Sequence, residues 1–186
     1  MISLEEYRQA VEYLASQKKD FDIHNEGNDF AKVIFANIFR NAKQRVCIAA
    51  NTLRNEVVDS SEYQDALDVF LGNEGSELQI IISRLPDNAT EDSSNNIYRR
   101  LQRHPAYLAG RIHIRNANRA IFTIGDKPAN FCVADGLMSR IENDIEKRTA
   151  LCNFGNAKRA QELGTIFRRG YDSIQSDVNL NSMFAQ

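Results

Sequence analysis

Two groups of residues in this 186-residue chain carry enough charge and polarity to do chemistry. The first lies in residues 130–156, NFCVADGLMSRIENDIEKRTALCNFGN, where Asp135 closes an apolar run and Arg140 and Glu142 follow. In a structural reading, Asp135 caps the turn at Gly136, and Arg140 and Glu142 pair along one strand face. The second group is a cationic window. Between residues 93 and 125 there is no acidic residue, while Arg99, Arg100, Arg103, Arg111, Arg115 and Arg119 occur there with His104 and His113. Charge of this density favours phosphates or an acidic partner surface. Sixteen of the 23 cationic residues are Arg, the type suited to bidentate contact with phosphate or carboxylate. His113 and Arg115 are two apart and so share one face of a strand. The window is thus a candidate nucleic-acid-binding band, with Tyr98 and Tyr107 as its stacking residues. The opposing reading has these arginines alternating on solvent faces and pairing with the acidic N-terminal region.

Other chemistries find less support. His24, His104 and His113 have no ordered spacing, and neither Cys-x2-Cys nor His-x3-His occurs, so no metal and no cofactor is expected. Cys47, Cys132 and Cys152 are odd in number, far apart and set in apolar runs, as reduced core thiols of a cytoplasmic protein would be. No apolar run approaches the roughly 18 residues a membrane span needs. The opening MISLEEYRQAVEYL is acidic and helical rather than basic and then apolar, so no secretory leader is expected. With 42% hydrophobic and 26% charged residues, the chain has the makings of an ordinary folded domain.

The elements that would position these residues follow from periodicity and caps. Ser3 and Glu6 form a capping box, and Leu4, Tyr7, Val11 and Leu14 recur at helical spacing towards Lys18 and Lys19. A polar connector spans 20–27. Asn28 is placed to cap a second helix carrying Phe30, Val33, Ile34, Ile38 and Phe39. Residues 45–50 read as a buried, parallel strand, 60–72 as a helix, and 78–82 as a second central strand. Residues 86–96 read as loop and 97–102 as a short helix ending near Pro105. Short strands are expected at 111–115, 120–124, 131–134, 138–141 and 149–153, with a hairpin across Asp135 and Gly136. A helix opens at Gly155/Asn156, and the tail after Ser176 reads as loose.

This order of elements over residues 28–174 resembles a phospholipase D-like domain. Phe131-Cys132-Val133-Ala134-Asp135-Gly136 is similar to the strand that carries that superfamily's His-x-Lys-x4-Asp motif. The segments Arg140-Ile141-Glu142 and Ala150-Leu151-Cys152-Asn153-Phe154 resemble the strands that follow it. Counting back from Asp135, the histidine position is Pro128 and the lysine position is Asn130. The resemblance implies an α/β layered fold, a mixed central sheet flanked by helices. It also implies a phosphohistidine mechanism, for which Pro128 supplies no nucleophile and Asn130 no charge.

The expectation is therefore a catalytically inactive domain that binds a phosphate-bearing ligand or a protein partner. Its pocket would be the family's cleft, lined by Asn130, Asp135, Arg140, Glu142 and Asn153, with Asn156 adding backbone N–H groups at a helix start. The family pairs two such halves, which implies a homodimer. Two alternatives are nucleic-acid binding through Arg99, Arg100, Arg103, Arg111, His113, Arg115 and Arg119, and a phosphodiesterase or nuclease rebuilt around His113. Residues 1–27 are expected as a lead-in helix and connector, and 175–186 as a polar tail.

Overall fold

A computed structural model describes residues 2–185. In chain order the elements are α1 (Leu4–Ser16), β1 (Ile23–Asn25), α2 (Asn28–Asn41), β2 (Arg45–Ala50), α3 (Ser61–Leu71), β3 (Glu77–Ile82), α4 (Ile97–Arg103) and α5 (Pro105–Leu108). Then come β4 (Ile112–Asn116), β5 (Thr123–Ile124), β6 (Lys127–Pro128), β7 (Asn130–Ala134), β8 (Met138–Asp144), β9 (Thr149–Asn153), α6 (Ala157–Asp172) and α7 (Leu180–Met183).

Seven strands make one mixed sheet in the order β1-β9-β8-β7-β2-β3-β4, and β5 and β6 form a separate two-stranded hairpin. β2, β3 and β4 run parallel, and β7 joins β2 antiparallel. β7, β8, β9 and β1 then continue as antiparallel neighbours. Strand alternation divides the core. Val46 and Ile48 of β2, Leu78, Ile80 and Ile82 of β3, and Ile112 and Ile114 of β4 pack with α1, α2 and α3 on one face. Ala49, Ile81, Phe131 and Val133 pack against Ala160, Leu163 and Phe167 of α6 on the other. Burial on both faces explains why β2 and β3 read as nearly unbroken apolar runs. The architecture is an α/β layered domain with a mixed central sheet flanked by helices, as the sequence leads one to expect.

Several local expectations differ from the structure. α1 stops at Ser16, because Lys18 takes a left-handed conformation (φ 49°) that turns the chain away from the helix. A Cβ at Gly155 would lie 2.3 Å from the Lys18 carbonyl oxygen, so the turn is packed directly against the start of α6. The connector 20–27 contains β1, with Ile23 opposite Cys152, and the Asn25 side chain donates to the Arg148 carbonyl. Asn28 is the first helical residue rather than the cap, and its side chain donates to Glu56.

The run 120–124 shortens to β5, because Ile121 and Phe122 pack against the α6 side of the core instead of pairing as strand. The tail is held in place over its described residues, 175–185: the Val178 N–H donates to the Ile114 carbonyl at 2.6 Å, and Leu180 of α7 is buried. Tyr7, Val11, Ala15 and Leu180 all belong to the same core cluster as α2 and α3. Among the described residues, no helix is long and apolar enough to cross a membrane.

Candidate functional site

β7 lies in the middle of the sheet and carries a candidate residue at each end. Asn130 stands where the parallel strands finish, and Asp135 stands where they begin. At roughly 3.3 Å per residue, five residues of strand separate the two by about 17 Å. They serve different sites.

Asp135 sits at φ 53°, a left-handed position that aspartate tolerates. Its carboxylate accepts the backbone N–H groups of Lys43 (2.7 Å), Gln44 (3.0 Å) and Arg45 (2.9 Å), and its own N–H donates to the Arg45 carbonyl. Asp135 therefore fastens the entry of β2 to the β7–β8 turn, and the carboxylate is occupied by backbone.

Asn130, Arg140 and Glu142 do come together, at the opposite end. Arg140 and Glu142 are two apart on β8, so they share a face, and the register sets Glu142 beside Asn130. Glu142 accepts from Asn130 Nδ2 (2.6 Å), Arg140 Nη2 (3.1 Å) and Arg148 Nη1 (3.4 Å). The Asn130 Oδ1 in turn accepts the N–H of Asn51 (2.9 Å). Arg140 and Glu142 are each only 2% exposed. The Arg140 guanidinium lies 4.8 Å from the centre of the Phe35 ring, and its Nε has no partner. The cavity here is about 40 Å³, walled by Phe35, Leu53, Asn55 and Tyr63, which is room for a water or two. Pro128 lies just upstream on the exposed strand β6.

Asn153 and Asn156 belong to a third place, at the start of α6. Asn153 donates to Asp20 and Asp22 and accepts the N–H groups of Gly155 and Asn156. Asn156 accepts the Arg159 N–H as the helix cap. Arg159 holds Asp22 in a two-pronged contact at 2.7 and 2.9 Å, and that bond is the main cause of the Asp22 carboxyl falling to about 2. These side chains fasten the N-terminal segment to α6. The six pocket residues expected from sequence are thus split over three sites rather than lining one cleft.

The arginine band is divided as well. Arg100 bonds Asp65, Asp68 and Gln64 of α3. Arg111 holds the carbonyls of Leu71, Asn73 and Ser76. Arg115 caps the end of α6 through the carbonyls of Tyr171 and Ile174, lies over the Tyr171 ring and meets Asp177. His113 contacts Asp177 at 2.7 Å, with Glu77 3.9 Å from its other ring nitrogen. Burial pushes Asp177 upward, yet the bonds from Arg115 and His113 outweigh it and leave the carboxyl below its ordinary range. Arg99, Arg103 and Arg119 make no side-chain hydrogen bond among the described residues, and Arg103 and Arg119 are exposed.

The acids that neutralise the band come from α3 and the C-terminal segment. Sequence reasoning missed them because nothing local to those residues announces a partner tens of positions away, and it missed Arg148 because its partner Glu142 lies across the β8–β9 turn. Burial pushes the thiols of Cys47 and Cys152 up to about 12, which leaves neither a thiolate nucleophile at neutral pH. Among the described residues, no three His, Cys, Asp or Glu side chains gather as metal ligands.

No protein-family model matches this chain, and no curated protein matches it in sequence. Solved structures do share its fold. Nuc from Salmonella typhimurium, a phospholipase D family member, matches over 86% of this chain and 99% of its own, with a TM-score of 0.54 and 11% identity. NucT from Helicobacter pylori matches over 84% and 98%, with a TM-score of 0.56 and 9% identity. TrmBL2, an archaeal chromatin protein whose structure shows a novel mode of DNA binding, matches over 92% of this chain but 62% of its own, with a TM-score of 0.55 and 10% identity. The fold is therefore phospholipase D-like, and at these identities the likeness concerns the fold alone.

Proposed function

We propose that this chain is a catalytically inactive phospholipase D-like module that binds a phosphate-bearing ligand. One observation carries the loss of catalysis, and the ligand class is supported by Arg99 and Arg103, whose side chains have no acidic partner among the described residues. Where the family's motif, read onto this chain, sets its histidine and lysine at Pro128 and Asn130, Glu142 is saturated by Asn130, Arg140 and Arg148. The space left holds only a water or two. A phosphodiester needs an imidazole nucleophile and an uncommitted cation there, and this cluster offers neither. The test is a bis(p-nitrophenyl) phosphate assay on the purified chain. No turnover above buffer is expected, and turnover abolished by Glu142→Gln or by His113→Ala would overturn the reading. His113 is the residue a rebuilt site would use, and its position between Asp177 and Glu77 favours a structural role.

Nucleic-acid binding is the second reading, favoured by the uncommitted side chains of Arg99, Arg103 and Arg119 and by the likeness to a DNA-binding chromatin protein. Three phosphate contacts would give a log–log salt slope of roughly −3. Anisotropy measurements with single- and double-stranded probes that find no binding, or binding indifferent to salt, eliminate it. A homodimer, proposed from the family's pairing of halves, is checked by sedimentation velocity.

A further inference from the structure

The cavity beside α4 is unlike the cluster at Glu142. It is an open cleft of about 380 Å³ whose titratable lining is Asp68, Asp92, Arg99, Arg100, Arg103 and His104. Arg99 and Arg103 are four apart, so they project from the same side of the helix. The Arg99 guanidinium is set 4.2 Å from the centre of the Phe184 ring, and its Nε has no partner. Arg103 is exposed, and its side chain makes no hydrogen bond among the described residues. His104 Nδ1 accepts the Ala106 N–H, so the ring proton sits on Nε2 as a free donor. Burial lowers the pKa of this imidazole, which keeps it an uncharged donor at neutral pH.

The carboxylates do not cancel this set of donors. Asp68 is held by Arg100 in a two-pronged contact at 2.6 and 3.1 Å. That leaves Asp92 alone against Arg99 and Arg103, a net charge of +1 over the lining.

We propose that this cavity binds a small phosphate monoester, its phosphoryl oxygens taken by Arg99, Arg103 and His104 Nε2. Guanidinium forks match phosphate oxygens in pairs, and two of them here lack the carboxylates that occupy their neighbours. A cleft of about 380 Å³ accommodates a sugar phosphate or mononucleotide.

This inference rests on the phosphate-binding reading above for its ligand class, and it places the ligand away from the strand ends. The test is equilibrium titration of the full chain with ribose 5-phosphate, ribose and inorganic phosphate, followed through the His104 ring resonances. Ribose 5-phosphate is expected to bind and shift His104, phosphate to compete with it, and ribose to do neither. Arg103→Gln breaks no hydrogen bond and should fold normally. It is expected to weaken binding about tenfold or more, and Arg99→Gln similarly. Binding that neither substitution weakens overturns this site and leaves the phosphate reading standing. If wild-type chain binds no phosphate compound, both fall. A 5′-phosphorylated oligonucleotide that binds at least tenfold tighter than ribose 5-phosphate overturns the small-molecule assignment.

Discussion

The cluster around Glu142 and the cavity beside α4 both gather arginines, but they dispose of the charge in opposite ways. At Glu142, two guanidiniums and an amide converge on one carboxylate that is 2% exposed. At α4, Arg100 is saturated by α3 acids, while Arg99 and Arg103 are left without a carboxylate of their own. A closed cluster of this kind holds β7, β8 and the end of β2 together. An open one has binding capacity to spare. The two therefore predict different responses to substitution: stability at the first, and affinity at the second.

The largest effect is expected from Glu142→Ala, which leaves Arg140 buried without a counter-charge. A loss of about 3–5 kcal/mol in urea unfolding is anticipated. Replacing the pair together, Arg140→Met with Glu142→Leu, should recover most of that loss. A double variant as unstable as the single one would show that the cluster does more than neutralise itself. Asp135→Ala comes next. It strips three backbone N–H groups of their charged acceptor and puts Ala at φ 53°, so about 2–3 kcal/mol should be lost. Asp135→Asn, which keeps one acceptor and tolerates the left-handed turn, should lose roughly half as much.

A smaller effect concerns acid. The Asp22 carboxyl lies at about 2, below its ordinary value of 3.8. Its contribution to stability is therefore complete above that ordinary value and is lost as pH falls from there towards 2. In thermal melts from pH 5 to pH 2, Asp22→Asn should flatten the decline of wild type, and identical slopes would remove Asp22 from the account. The smallest effect is expected from Arg103→Ala, whose stability should stay within about 0.5 kcal/mol of wild type. A larger loss would mean that the α4 cavity, too, is closed on itself.

Much of the frame is legible in the amino-acid sequence. The Ser3–Glu6 capping box is present, Ser60 caps α3, and β2 and β9 span the residues that periodicity marks. Each of those signals is local, set by neighbours within a turn or a strand. β1 and α7 escape such a reading because each is too short to hold its shape alone. β1 exists by pairing with β9, and α7 by burying Leu180, whose N–H donates to the Tyr107 hydroxyl. The grouping of Asn130 with Asp135 fails for a reason the chain does contain. Five steps along an extended strand carry Asn130 and Asp135 about 17 Å apart, so spacing along a motif is not nearness in a site.

The sequence by itself determined the layered α/β frame, the turn at Asp135 and the presence of an acid-free run of arginines, since all of these depend on short-range pattern. Only the tertiary structure decided which arginines are spent and which remain. Charges are neutralised by whatever packing brings within a few ångströms, and here Asp65, Asp68 and Asp177 reach the band from α3 and the C-terminal segment.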